Sequence, residues 1–378
     1  MLLLATKVWE QRKLLKVCKK EDNKRIPIKE QERKEGNTPY FGANGIQGYI
    51  DGYTHDGTNI LIAEDGANNV RNYPIKLITG KIWVNNHAHV LKVNTKTNNG
   101  NFLVGAIKKI NFYRYLVGSS RYKLTAESLN QVKIKIAKQS EQEKIGKLLK
   151  NIEKLLTLYA KKSSCLDSCI AYFIRILYDD PQFFKQKNVQ NSIIKSFKLD
   201  DILIKNNAKN KDLSILNVES ISNKKGFISQ KEQFDNYQVA SKDLSNYYVI
   251  HPKDFAYNPS RINVGSIAYK SPNDVKGIVS PLYVSFKCKN DIVLDKYLWH
   301  WFKSTNFEHQ RVRLSEGGVR DILSFNQLSK MKISIPSFEI QRQTINLLEI
   351  LIQYKEEVDL KLNNLKLIKN TLLQSMFL

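Results

Sequence analysis

Gly118-Ser119-Ser120-Arg121-Tyr122-Lys123-Leu124-Thr125-Ala126-Glu127-Ser128-Leu129-Asn130-Gln131-Val132-Lys133-Ile134-Lys135-Ile136 is written a second time, 199 residues on, as Gly317-Gly318-Val319-Arg320-Asp321-Ile322-Leu323-Ser324-Phe325-Asn326-Gln327-Leu328-Ser329-Lys330-Met331-Lys332-Ile333-Ser334-Ile335. Gly118, Arg121, Leu124, Leu129, Lys133, Ile134 and Ile136 recur as Gly317, Arg320, Leu323, Leu328, Lys332, Ile333 and Ile335. Seven identities at one offset mark an internal repeat, and a repeat decides the architecture before any local motif does.

Downstream of each copy, apolar side chains recur in alternating steps of three and four. The first series is Ile145, Leu148, Ile152, Leu155, Tyr159, Leu166, Cys169, Phe173 and Ile176; the second is Leu347, Leu351, Tyr354, Val358, Leu365, Ile368 and Leu372. A 3.5-residue repeat held over several heptads is a coiled-coil seam, narrower than the stripe of a helix lying on a globular core. The spacing predicts helices over about 140–178 and 339–376, each roughly 60 Å long at 1.5 Å per residue. Neither is stable with its stripe in water, so each is expected to cover the other, antiparallel, because a folded lobe intervenes in the chain.

Upstream, the copies match less closely. Lys13-Leu14 answers Lys198-Leu199, Val70 answers Val264, and Phe102-Leu103 answers Tyr297-Leu298, with offsets growing from 185 to 195. Loops that lengthened on a retained scaffold give this drift. Short strands are expected at Ile60–Ala63, Ala88–Val93 and Leu282–Phe286, with a helix near 101–109 and 294–304. The expected fold class is α+β: two similar globular lobes separated by two long helices packed as an antiparallel coiled coil, an internal pseudo-twofold repeat. The boundaries follow as 1–137, 138–180, 181–336 and 337–378.

Sixty Lys and Arg against 36 Asp and Glu leave a net charge of +24, a field that attracts polyanions. Much of the positive charge is Lys in an Asn-rich chain, which biased codon usage also produces. The opening Met1-Leu2-Leu3-Leu4-Ala5-Thr6 is too short for a signal peptide, and no apolar run approaches the length of a bilayer span. A cytoplasmic protein without a membrane partner is expected. Cys18, Cys165, Cys169 and Cys288 lack metal-site spacing and are expected to be reduced and buried.

Catalytic signatures are missing. There is no phosphate-binding GxxxxGK[ST] loop and no GxGxxG turn. Gly42-Ala43-Asn44-Gly45-Ile46-Gln47-Gly48 reads as turn chemistry, and Asn258-Pro259-Ser260-Arg261 breaks the amino-methyltransferase pattern after one proline. His87 and His89 share a strand face without a third ligand nearby, so they are expected to pack or hydrogen-bond within the lobe, and no metal site is expected. Asp65 and Asp254 have no partnering Glu-x-Lys constellation. What remains are polar loops at matching places. Asn and Gln can bond adenine, Arg and Lys guanine, and Lys or Ser phosphate. Candidate DNA contacts are Asn44, Gln47, Asn68, Asn69, Arg71 and Asn72 in the first lobe, with Lys224, Lys225, Asn258, Arg261 and Asn263 in the second.

The order lobe, helix, lobe, helix resembles the specificity subunit of type I restriction-modification enzymes. Trp9-Glu10-Gln11-Arg12-Lys13-Leu14 resembles the entry to its first target-recognition domain. Pro39-Tyr40-Phe41-Gly42-Ala43-Asn44-Gly45-Ile46 with Gly80-Lys81-Ile82-Trp83-Val84 resembles one type of that domain. Asp254-Phe255-Ala256-Tyr257-Asn258-Pro259-Ser260-Arg261-Ile262 and Gly277-Ile278-Val279-Ser280-Pro281-Leu282-Tyr283 resemble another, and Lys332-Ile333-Ser334-Ile335-Pro336 resembles the closing strand. At the first junction Ala137-Lys138-Gln139 replaces the Pro-containing turn of the family.

The resemblance covers nearly the whole chain and implies a non-catalytic reader of a bipartite, asymmetric site in double-stranded DNA. Each lobe would dock in the major groove, and the helices would set the unread gap. It further implies two methyltransferase subunits around the helices and translocating restriction subunits. S-adenosylmethionine, ATP and Mg belong to those partners, and no cofactor to this chain. Two other classes compete: a stand-alone methyltransferase or nuclease with diverged motifs, and a coiled-coil scaffold that binds only proteins.

Overall fold

The computed structural model describes residues 9–119, 122–180, 194–223, 226–230, 243–315 and 322–377. The chain forms two compact units, one of Met1–Lys162 with Val358–Leu378 and one of Ser163–Glu357, so each unit takes a lobe and parts of both long helices.

In the first unit the strands are β1 (Glu10–Lys13), β2 (Cys18–Lys20), β3 (Thr38–Gly42), β4 (Gly45–Ile50), β5 (Thr58–Ala63), β6 (Ile75–Thr79), β7 (Trp83–Val84), β8 (Ala88–Val93) and β9 (Lys133–Ile136). They make sheets ordered β2-β8-β5-β6 and β4-β3-β7, while β1 pairs with β9. In the second unit they are β10 (Lys195–Lys198), β11 (Leu203–Lys205), β12 (Val218–Ser222), β13 (Gly226–Ser229), β14 (Tyr248–Ile250), β15 (Phe255–Tyr257), β16 (Ile267–Tyr269), β17 (Gly277–Val279), β18 (Val284–Cys288) and β19 (Lys332–Ile335). The orders β11-β18-β15-β16 and β13-β12-β17-β14, with β10 paired to β19, repeat those of the first unit, with β14 added at one edge. β3 runs parallel to β7 as β12 does to β17. The added edge strand β14 is part of the lengthening that makes the repeat offset grow.

The repeated motif joins lobe to helix. Thr125 caps the helix Ala126–Gln131 and Ser324 caps Phe325–Ser329, each side chain accepting a backbone N–H of the first turn. Leu14 N–H donates to the Val132 carbonyl and Leu199 N–H to that of Met331. The strand expected at Leu282–Phe286 forms two residues later, because Pro281-Leu282-Tyr283 is held in a turn by the Tyr283 N–H to Ser280 carbonyl bond.

The long helices span Gln139–Asp179 and Phe338–Met376. In the first unit Lys369 Nζ lies 2.6 Å from Glu153 Oε1, and Phe377 packs in one core with Leu149, so the segments run antiparallel. In the second unit Lys355 pairs with Asp167 at 3.3 Å while Leu348 packs with Ile174, Leu177 and Tyr178, the same antiparallel sense. The lobe helix Gly100–Lys108 sits directly on the first long helix. A Cβ at Gly146 would fall 2.0 Å from Asn99 Oδ1, and one at Gly105 would fall 2.8 Å from Leu149 Cδ1 and 3.0 Å from Phe377.

The seam is narrower than its periodicity predicts. Ile145, Ile152, Leu166 and Val358 are buried, and Tyr159, Cys169, Phe173, Ile176, Leu351, Leu365 and Leu372 are half-buried. Leu148, Leu155, Leu347, Tyr354 and Ile368 are exposed, by 36–50%. Close to each lobe a helix touches the lobe as well as the other helix, and this turns its inward face by one residue. Leu149 and Leu348 are buried in place of Leu148 and Leu347. The cysteines divide likewise. Cys18 and Cys288 are buried, burial pushing both thiols up to about 12. Cys165 is exposed and Cys169 half-buried on the first long helix, which corrects the expectation that all four are buried.

Candidate nucleic-acid interface

In the first lobe the hairpin β3–β4 turns through Ala43-Asn44 between Gly42 and Gly45, which face one another. Gly45 has φ +134°, open to glycine without steric cost. A Cβ on Gly42 would lie 2.5 Å from Gln47 Nε2, so this glycine makes room for the Gln47 amide.

The hairpin tip is tied to the loop after β5. Asn44 Nδ2 donates to the Gly66 carbonyl at 2.8 Å, and Asn44 Oδ1 accepts the Asn68 N–H at 3.0 Å. Asn69 Oδ1 accepts the Asn72 N–H at 2.8 Å. On the other side Asn85 Nδ2 donates to Gln47 Oε1 at 3.3 Å, Asn85 Oδ1 accepts the His87 N–H at 2.8 Å, and His87 Nδ1 lies 2.5 Å from Asp65 Oδ1. These bonds close a circuit through Asn44, Gly66, Asp65, His87, Asn85 and Gln47. Asn44, Gln47, Asn68, Asn69, Arg71 and Asn72 are therefore gathered on one hairpin and one loop. Asn68, Asn69, Arg71 and Asn72 are exposed. Asn44 is exposed as well, but it spends both ends of its amide on the protein and acts as a brace. Sequence reasoning left Asn85 and Asp65 out of this group; the polar turn Asn85-Asn86-His87 between two strands was the available signal.

Beneath the loop His89 is fully buried. Its Nε2 donates to the Leu124 carbonyl at 2.7 Å and its Nδ1 lies 2.7 Å from Asp22 Oδ2, while Asp22 Oδ1 accepts the Val90 N–H at 2.8 Å. Glu64 meets Arg25 at 2.7 Å and Lys123 at 3.2 Å. Burial opposes ionisation of Asp22, but hydrogen bonds from His89 and Val90 with Arg25 nearby outweigh it and hold the carboxyl below its ordinary range. Burial opposes Glu64 too, and Arg25, His89 and Lys123 outweigh it. Asp22, Glu64 and His89 lie within metal-ligand reach of one another. Their carboxylates already face cationic side chains, so they act as an ion-pair network under the loop.

In the second lobe Asn258 Oδ1 accepts the Ser260 N–H at 3.0 Å, a short 3-10 turn follows at Ile262–Val264, and Gly265 closes it at φ 83°. Arg261 and Asn263 are exposed and Asn258 half-buried. Lys224 and Lys225 lie outside the described residues. The two lobes hold these loops in the same way. Leu124 N–H donates to the Glu64 carbonyl and Leu323 N–H to that of Pro259. The Leu124 carbonyl is taken by His89 and the Leu323 carbonyl by the Tyr257 hydroxyl, at 2.7 and 3.0 Å. The leucines of the repeated motif thus pin a polar loop in each lobe.

A duplicated lobe that presents a pinned polar loop, joined by long antiparallel helices in a strongly basic chain, belongs to the class of duplicated sequence-reading proteins. Residues 6–167 and 191–367 match the family model described as the type I restriction modification DNA specificity domain, and the chain belongs to that family. It has the makeup of a type I restriction-modification specificity subunit. A type I restriction enzyme specificity subunit of Haemophilus influenzae is 30% identical over 340 residues, covering 87% of this chain and 83% of that one. The EcoprrI specificity subunit of Escherichia coli is 28% identical over 142 residues, 36% of this chain and 34% of its own. Among solved structures, the type I restriction-modification S subunit from M. genitalium is similar with a TM-score of 0.71 at 15% identity, covering 99% of this chain and 98% of that one. A chain from a study of complex assembly and conformational transition of the type I R-M system gives 0.51 at 12%, covering 98% and 97%. Both establish likeness of fold.

Proposed function

We propose that the chain reads a bipartite, asymmetric site in double-stranded DNA, one half per lobe, and catalyses nothing itself. The observation that carries this is the pair of polar loops pinned at equivalent places by Leu124 and Leu323. The loops differ in sequence, so the half-sites differ. Lys and Arg supply salt-sensitive phosphate affinity, and the loop side chains supply choice of base. Two methyltransferase subunits carrying S-adenosylmethionine bind along the helices, and restriction subunits that use ATP and Mg join them. No described helix is long and apolar enough to cross a membrane, and the setting we propose is the cytoplasm.

Methylated positions mapped genome-wide, with and without the gene, test the reading. One gapped motif that disappears with the gene supports it. Unchanged methylation in a cell whose methyltransferase subunit is active overturns it, as does methyl transfer or cleavage by the purified chain alone. Removing one heptad from the helix Gln139–Asp179, roughly 10 Å, should alter the gap and leave both half-sites unchanged.

A further inference from the structure

His87 is the member of the first-lobe circuit that offers an unused polar atom. Asp65 takes its Nδ1 at 2.5 Å, the ring is 42% exposed, and Nε2 has no partner among the described residues. The side chain lies at the foot of the Gly66–Asn72 loop that carries the exposed Asn68, Asn69 and Arg71. We propose that His87 contacts a DNA backbone phosphate through Nε2 and that Asp65 positions it, a deeper reading of the DNA interface that depends on the function proposed above.

The chemistry follows from which nitrogen carries hydrogen. Asp65 is an acceptor, so Nδ1 keeps its proton in either state of the ring. In the neutral ring Nε2 presents a lone pair, which a phosphate oxygen repels; in the charged ring it presents an N–H, which a phosphate accepts. Phosphate contact through Nε2 therefore requires the charged ring. The charged groups around the ring are Asp65, Glu64, Arg25 and Lys123. Glu64 donates its N–H to the His87 carbonyl, Arg25 Nη1 reaches the Asn86 carbonyl at 3.4 Å, and Lys123 bridges Asp65 through the backbone. Arg25 and Lys123 both pair with Glu64, and Arg25 also lies 3.9 Å from Asp22, so Asp65 is the carboxylate in contact with the ring. Tyr73 beneath, its phenol pushed up by burial and by Asp65 and Glu64, stays neutral.

The test uses the full chain and a random-sequence duplex of about three helical turns, with affinity measured by fluorescence anisotropy across salt at about pH 6 and about pH 8. The slope of log affinity against log salt should be steeper at the lower pH by about 0.9, one phosphate contact. His87→Gln should show one slope at both pH values, and Asp65→Asn a reduced difference. The remaining histidines are common to all three proteins, so the comparison isolates His87. In the wild-type chain, duplex should also slow carbethoxylation of His87. A His87→Gln variant that keeps the wild-type pH difference, or unprotected His87 in bound chain, overturns the contact and leaves DNA reading intact. A wild-type chain that fails to bind duplex at low salt overturns DNA reading itself.

Discussion

Gln142 and Gln341, 199 residues apart, make the same two bonds. Gln142 Oε1 accepts the Asn99 N–H at 3.1 Å and its Nε2 donates to the Ala137 carbonyl at 2.9 Å. Gln341 Oε1 accepts the Leu294 N–H at 2.8 Å and its Nε2 donates to the Pro336 carbonyl at 3.0 Å. Both side chains are nearly inaccessible to solvent. Each glutamine ties the start of a lobe helix to the end of the strand that leads into a long helix, so the repeat is one of hydrogen bonding as well as of topology.

Replacing either glutamine with leucine keeps the volume and leaves a buried N–H and a buried carbonyl unpaired. Each orphaned group costs about 1–3 kcal/mol, so Gln142→Leu and Gln341→Leu should each lower the urea midpoint clearly. A midpoint equal to wild type would mean that water replaces both bonds.

The aromatic residues that close the two junctions also correspond. Phe377 packs against Phe102 and Trp9 at 5.2 and 5.3 Å between ring centroids, and Tyr178 packs against Tyr297 at 4.8 Å and donates its hydroxyl to the Tyr297 carbonyl at 3.1 Å. Phe377→Ala should destabilise the first unit by about 3–5 kcal/mol. Tyr178→Phe, which removes one bond, should cost the second unit only about 0.5–1.5 kcal/mol. Hydrogen exchange in Gly100–Lys108 and in Asp295–Trp301 reads the two separately.

Much of this was legible in the sequence. The 199-residue repeat and the 3.5-residue stripe fixed two lobes and two paired helices, because both are properties of spacing. The shift of the buried face from Leu148 to Leu149 was not legible: it arises where a lobe covers a second side of the helix, and periodicity describes one partner at a time. The loops that hold Asn44 and Arg261 were found by composition. That Asn44 is a brace depends on the Gly66 carbonyl, 22 residues away, which spacing along the chain does not reveal. His89 and Tyr257, which satisfy the same carbonyl in the two lobes, share no sequence signal at all.

The second unit should weaken in acid in two stages. His300 is fully buried; burial pushes it below its ordinary 6.5 against the opposing hydrogen bond to Glu349. Its Nδ1 has no hydrogen-bond partner among the described residues. An unfolded chain therefore takes up a proton that the folded one resists, and stability falls as pH drops below 6.5. Glu349 is held at about 2, first by the His300 hydrogen bond and then by Lys296, against burial. Its contribution is complete above 4.5 and is lost as pH falls through about 2. Thermal unfolding against pH should lose the first stage in His300→Gln and the second in Glu349→Gln.

Brace and reader separate by one comparison. Asn44 gives both amide groups to the protein, so Asn44→Ala should release the Gly66–Asn68 segment, lower thermal stability and weaken DNA binding together. Arg71 is exposed on the same loop, so Arg71→Ala should leave the unfolding temperature unchanged and affect only DNA. If its guanidinium meets a base edge, one position of the methylated motif relaxes, a discrimination worth about 1–3 kcal/mol. If it meets a phosphate, the motif stays intact while the salt slope falls by about 0.9. Arg71→Ala with wild-type motif, affinity and salt slope would remove the Gly66–Asn72 loop from the interface, and the pinning by Leu124 would then serve only to hold the lobe together.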